Sequence, residues 1–318
     1  MISGRYCFSV MSIVNRLLTP INMSQHSNVL QRCRLLFQRQ QCRQIAACMP
    51  LLLLMLSSCS GTAGPNGDAA ASGTGTLLVQ ANGEDFVRNG FTGKDGWRID
   101  FDHLYVTMTD VTAAQNPLTE AGESEAGPEE STQPQQSVVY GASPVTVDLA
   151  AGNGPTEAID FADAPSGRYN ELAWQLVPAQ TGPAEGYPIM LIGTATKDAD
   201  AVSFEIGLAD EIAYTCGDFI GDERKGILTN GKTAEVEATF HFDHMFGDVE
   251  APETDKINLG ALGFEPLAEL SQGGQLTIDS QGLQEQLSEK NYATLQATLL
   301  SLGHVGEGHC GARITNET

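Results

Sequence analysis

The chain has 318 residues, with 17 Lys+Arg against 40 Asp+Glu and a formal net charge of −23. That length holds one large domain or two ordinary ones, and the acidity excludes a nucleic-acid binder, because a phosphate backbone would be repelled. With 34 glycines and only 18% charged residues, the composition suits a loop-rich β protein rather than a helical bundle.

The charge is unevenly divided. Residues 1–59 hold Arg5, Arg16, Arg32, Arg34, Arg39 and Arg43 and no acid. The remainder therefore carries 11 basic and all 40 acidic residues, a net −29. Arg39 and Arg43 precede an apolar run, Ile45 to Leu56, of signal-peptide length and too short to span a bilayer. The run ends in Leu56-Ser57-Ser58-Cys59. This resembles the bacterial lipobox, and the resemblance implies cleavage of residues 1–58 and acylation of Cys59. The stretch before Arg39 is long for a signal, which leaves Met11 and Met23 as alternative starts. Residues 59–75 are the lipidated Cys and a Gly/Ala/Ser tether that cannot bury a core. Ser60 follows the Cys, which by resemblance to enterobacterial sorting favours the outer membrane. The expected location is the cell envelope, lipid-anchored, facing the periplasm or the surface.

Residues 76–250 are expected to form a β-sandwich. Thr76–Ala81 is a short strand. Trp97–Val111 alternates in two halves of opposite parity: Ile99 and Phe101, then Leu104, Val106 and Met108. The switch at His103 predicts a bulge or bend. Residues 113–136, with five glutamates, three prolines and no aromatic residue, read as an acidic mobile insertion. Further strands are expected at 137–140, 144–150, 169–177, 188–195, 201–206, 212–216 and 234–242, a pattern of short strands typical of a sandwich. Val147-Asp-Leu, with Ala164-Pro-Ser-Gly-Arg-Tyr169-Asn-Glu-Leu, resembles a segment of envelope lipoproteins with a transthyretin-like or immunoglobulin-like sandwich. It is also similar to a segment of the copper-binding partner proteins of methanobactin systems. Pro-Ser-Gly stands where those have Pro-Ala-Gly, and no ligand motif of either group transfers.

Gly226 to Thr233 matches the phosphate-loop pattern by letter. The chemistry requires a helix after the loop, whereas Ala234 to Phe242 alternates as a strand and Asn230-Gly231 is a hairpin signal. Residues 251–318 read as a helical part packed on or beside the sandwich. Leu259–Leu270 is expected as a short helical segment. A helix is expected over Ser280–Leu302, broken near Asn291 and stopped by Gly303, with Leu283, Leu287, Leu295, Leu299 and Leu302 on its apolar face.

After processing, Cys216 and Cys310 are the only cysteines besides Cys59. An even pair in an oxidising envelope reads as one disulfide, worth about 4–5 kcal/mol in the chain-entropy model; free thiols or thiolate ligands are the alternative. Five of six histidines lie in the processed chain, each near acids or glycine. Imidazole with carboxylate suits transition metals, here zinc or copper first and iron next. His241 and His244 lead as ligands. His304 and His309 follow, in a Gly-rich segment able to fold around an ion, and then His103. Asp248 and Glu307 are the carboxylates that would complete or support the set. The expected role is non-enzymatic: binding or handing over a metal, with the membrane as partner through Cys59 and a metal transporter or outer-membrane receptor as protein partner. Two other readings stay open. One is a metal-free adhesion, scaffold or carbohydrate-binding module using Trp97 or Trp174; the other is a metal-dependent hydrolase with Glu307 as base.

The anchoring expectation is tested by Cys59→Ala, which should leave the membrane fraction and lose its acyl chains. A variant that remains membrane-bound and acylated would contradict the lipobox reading.

Overall fold

The computed structural model describes residues 73–116, 136–140, 143–217, 226–306 and 308–316. Cys59, its tether and most of the acidic segment lie outside the described residues. The described residues all belong to one compact unit, Asn66–Thr318.

Two large sheets dominate. The smaller runs in the order β16 (Gly308–His309), β15 (Gly303–Val305), β13 (Thr233–Phe240), β1 (Thr74–Asn82) and β6 (Thr156–Pro165). The larger runs β14 (Gln275–Asp279), β10 (Asp200–Leu208), β9 (Ile189–Lys197), β3 (Arg98–Gln115), β8 (Glu171–Leu176), β11 (Ile212–Gly217) and β17 (Gly311–Ile314). Three further strands, β2 (Phe91–Thr92), β4 (Gln136–Tyr140) and β5 (Val145–Asp148), also pair with β3. A separate ribbon joins β7 (Gly167–Arg168) to β12 (Ile227–Leu228). The described helices are short, and none is long and apolar enough to cross a membrane.

Alternation fixes which faces meet. Leu77, Val79 and Ala81 of β1 and Ala234, Val236, Ala238 and Phe240 of β13 are buried, as the period of two requires for a strand with one core face. They share one apolar cluster with Val106, Met108, Trp174, Leu176 and Tyr214 of the larger sheet. Phe240 makes the crossing directly, with ring centroids 5.8 Å from Trp174 and 6.5 Å from Tyr214. This is the mainly β, two-sheet architecture expected from the sequence.

The parity switch in β3 has its structural counterpart. Pairing with β9 shifts register between Phe101 and His103, so the strand changes face where the sequence changes parity. The phosphate-loop letters form no phosphate loop: Lys232 N–H donates to Thr229 O at 3.0 Å, closing a tight turn that feeds β13. The acidic insertion is shorter than expected, because residues 113–115 extend β3 and Gln136 begins β4.

The C-terminal part is not simply helical. It contributes β14 and β17 to the larger sheet and β15 and β16 to the smaller. The 259–270 segment divides into helices Lys256–Gly260 and Glu265–Ala268. The long helix breaks at Leu287–Ser288 rather than near Asn291, because Ser288 caps the helix Glu289–Leu300 by accepting from Asn291 N–H. All five predicted leucines are buried. Gly303 opens β15 instead of merely ending the helix.

A side chain at Gly303 would run into the Tyr214 ring, and that ring is fully buried, with its hydroxyl donating to Leu299 O at 2.6 Å. Gly303→Ala should therefore destabilise the fold by about 1–3 kcal/mol, the usual size of an overpacking defect. Urea unfolding measures this, and an unchanged midpoint would show that β15 approaches Tyr214 less closely.

Candidate metal centre

Three adjacent strands and one turn assemble the site. On β13, Glu237 and Thr239 share a parity that continues to His241, just beyond the strand. Thr239 pairs with His304 of β15, and His304 pairs with His309 of β16. Cross-strand partners project from the same face, so His304 and His309 join the face that His241 extends. His241 N–H donates to Leu302 O at 2.9 Å, keeping the ladder going one residue past β13. The chain then turns sharply, with His244 N–H donating to His241 O at 3.1 Å. The short helix Asp243–Phe246 brings the His244 ring back over the same face.

The four imidazoles pack together. Ring centroids are 4.2 Å apart for His241–His304 and for His304–His309. They are 5.3 Å apart for His241–His244, 5.2 Å for His244–His304 and 5.8 Å for His244–His309. A tetrahedral ion about 2.0–2.1 Å from each nitrogen sets imidazole centroids roughly 5 Å apart. The observed spacings bracket that value.

Hydrogen bonding favours ligation at two rings. His244 Nδ1 lies 2.9 Å from Ser301 O. A carbonyl only accepts, so Nδ1 carries the proton and Nε2 keeps its lone pair. His304 is only 5% exposed, and its Nε2 is buried without a hydrogen-bond partner. Such an orphan is costly in a dry interior and calls for an explanation such as an ion.

Burial pushes the His304 pKa down to about 3, helped by His241, His309 and His244. Burial also lowers His244, although Asp243 opposes the change. Both rings are therefore neutral near pH 7, the form that binds metal.

Carboxylates stand at one edge. Asp243 Oδ1 and Glu84 Oε2 are 3.6 and 3.8 Å from His241 Nδ1. Ligand atoms of His241, Asp243 and His244 all lie within 4.8 Å of one another. Atom proximity thus selects Asp243, whereas ring packing selects His304 and His309. The two sets share His241 and His244; His304 Nε2 is unpartnered, and Asp243, whose Oδ1 accepts from His244 N–H at 3.1 Å, keeps further lone pairs for an ion. Sequence reasoning passed over Asp243 and Glu84. Asp243 sits inside the His241–His244 motif, a signal that was available. Glu84 carried none: it is far away in sequence and held at φ 61°, with its N–H donating to Asn82 Oδ1 at 2.8 Å.

The other candidates fall elsewhere. His103 stands on β3 in the larger sheet, with Nδ1 2.7 Å from Asp148 Oδ2 and its ring stacked on Tyr105. It does not join the four-ring cluster. Asp248 serves a turn: its Oδ1 accepts from Glu250 N–H at 2.8 Å, and its backbone is bracketed by Asn258. Glu307 lies outside the described residues. Cys216 and Cys310 form the expected disulfide, so neither thiolate is available as a ligand. Trp97 and Trp174 are both buried and supply no contact surface. Comparisons with protein-family models, curated proteins and solved structures find no match for the chain.

The metal-free protein should be sensitive to mild acid. Unfolded His304 titrates near 6.5 and the folded residue near about 3. Above pH 6.5 both states are neutral and the fold has its full stability. As pH falls below 6.5 only the unfolded chain takes the proton, so stability is lost progressively toward about pH 3. The urea midpoint of chelator-treated protein should drop between pH 7.5 and 5.5, and drop less in His304→Leu. Equal responses in the two proteins would contradict this account.

Proposed function

We propose that the chain binds a transition metal through His241, His244, His304 and His309. We further propose that it holds or hands over that metal in the cell envelope, anchored by acylated Cys59. The observation that carries the metal reading is the packing of four imidazole rings in one cluster in which the buried Nε2 of His304 has no hydrogen-bond partner. Zinc and copper suit an imidazole set best, with iron next. Glu84 and Asp243, 3.8 and 3.6 Å from His241 Nδ1, are the proposed supporting carboxylates.

The lipid membrane is the proposed first partner, through Cys59. A transporter or outer-membrane receptor that donates or accepts the metal is the proposed second. The acidic segment within residues 113–136 would gather cations only loosely, and that binding would be screened by salt.

Calorimetry with zinc and with copper(II) tests the reading. The His241→Ala/His244→Ala double variant should lose more than about 100-fold in affinity. Glu84→Gln should lose less, about 10–100-fold at most, as expected for a supporting carboxylate. Deleting residues 117–135 should leave the tight site intact. Tight binding that survives in the double variant, or disappears with the acidic segment, would overturn the proposal.

A further inference from the structure

The histidine cluster has one open flank. A cavity of about 400 Å³ lies against His244 and His309, whereas His241 and His304 do not line it. Its volume falls in the range of roughly 300–1,000 Å³ usual for small-molecule sites. Ile257 of the helix Lys256–Gly260 and Ala297 and Thr298 of the helix Glu289–Leu300 supply neutral, largely apolar walls. Lys256 supplies the one cationic group of the lining. It is exposed, and no described carboxylate forms an ion pair with it.

These features differ in kind and meet in one place. An ion held by the four rings would be reached from solvent on the side of His244 and the exposed His309. A ligand entering there meets the ion first, an apolar wall along its body, and a lone ammonium in a chain that is otherwise strongly acidic. That combination selects an anion over a cation and a small organic molecule over a bare ion.

We propose that this cleft binds a small carboxylate carrying an aromatic nitrogen donor. The nitrogen coordinates the ion between His244 and His309, the body lies on Ile257 and Ala297, and the carboxylate meets Lys256. The inference rests on the metal reading and deepens it, since an incoming donor on this flank can displace His309 and pass the ion in either direction. No bond beyond the metal–ligand bonds is made or broken.

The test uses the full chain loaded with cobalt(II), whose visible band reports coordination. Imidazole-4-acetate and imidazole are titrated in parallel. Both should shift the band, and imidazole-4-acetate should saturate at about fivefold lower concentration, the scale of an exposed ion pair. Lys256→Gln should erase that preference while leaving the imidazole response unchanged. A band indifferent to both probes, equal response to both, a preference that survives Lys256→Gln, or stripping of cobalt into solution would each overturn the ligand site alone. Cobalt that fails to bind in a histidine-dependent way would remove the metal reading and this site together.

Discussion

The register of the β13–β15–β16 ladder is the constraint on which the site depends. Thr239 faces His304, and His304 faces His309. A slip of one residue would turn both imidazoles to the opposite face of the sheet. Strands of three and two residues specify register poorly by themselves. Three neighbours fix it: Gly303 packs on the Tyr214 ring, His241 N–H reaches Leu302 O, and Cys310 is bonded to Cys216 of β11 in the other sheet. The disulfide therefore sits one residue from His309, where it holds the weakest strand of the site in place.

That geometry carries an energetic cost. Packing imidazoles with centroids near 4–6 Å apart makes each proton on one ring unfavourable to the next. Burial of His304 disfavours its proton further and outweighs the opposing hydrogen bond to the Ser301 carbonyl. In the metal-free site His244 and His304 are thus held neutral near pH 7, and His304 Nε2 lacks a hydrogen bond. An ion would offset that deficit, while Ser301 O fixes the His244 tautomer beforehand.

Much of this was legible in the sequence because the relevant signals were local. The parity change at His103 marked a bulge, Asn230-Gly231 marked a turn, and the even pair Cys216 and Cys310 marked a bridge. His241 and His244 were close enough in sequence to be read as a pair, and the Gly-rich surroundings of His304 and His309 brought them into the same candidate set, which the structure packs into one cluster. What escaped were elements defined by distant partners. The strand β6 is rich in Asp and Ala, so it has little alternation of its own and is set by pairing with β1. Strands β14 to β17 lie in what read as a helical region and are too short to show a period. His103 and Asp248 carried the same residue-level cues as the true cluster members, and only the fold separates them: one is across the sandwich and the other is engaged in a turn. Glu84 was invisible because its approach to His241 depends on a left-handed backbone residue 157 positions earlier in the chain.

X-ray absorption spectroscopy of the metal-loaded protein tests the central claim most directly, because it counts and identifies the atoms around the ion. The account predicts a first shell of nitrogen or oxygen at about 2.0–2.1 Å, with outer-shell scattering from at least three imidazoles and no sulfur. A sulfur scatterer near about 2.3 Å, or an oxygen shell without imidazole scattering, would contradict it.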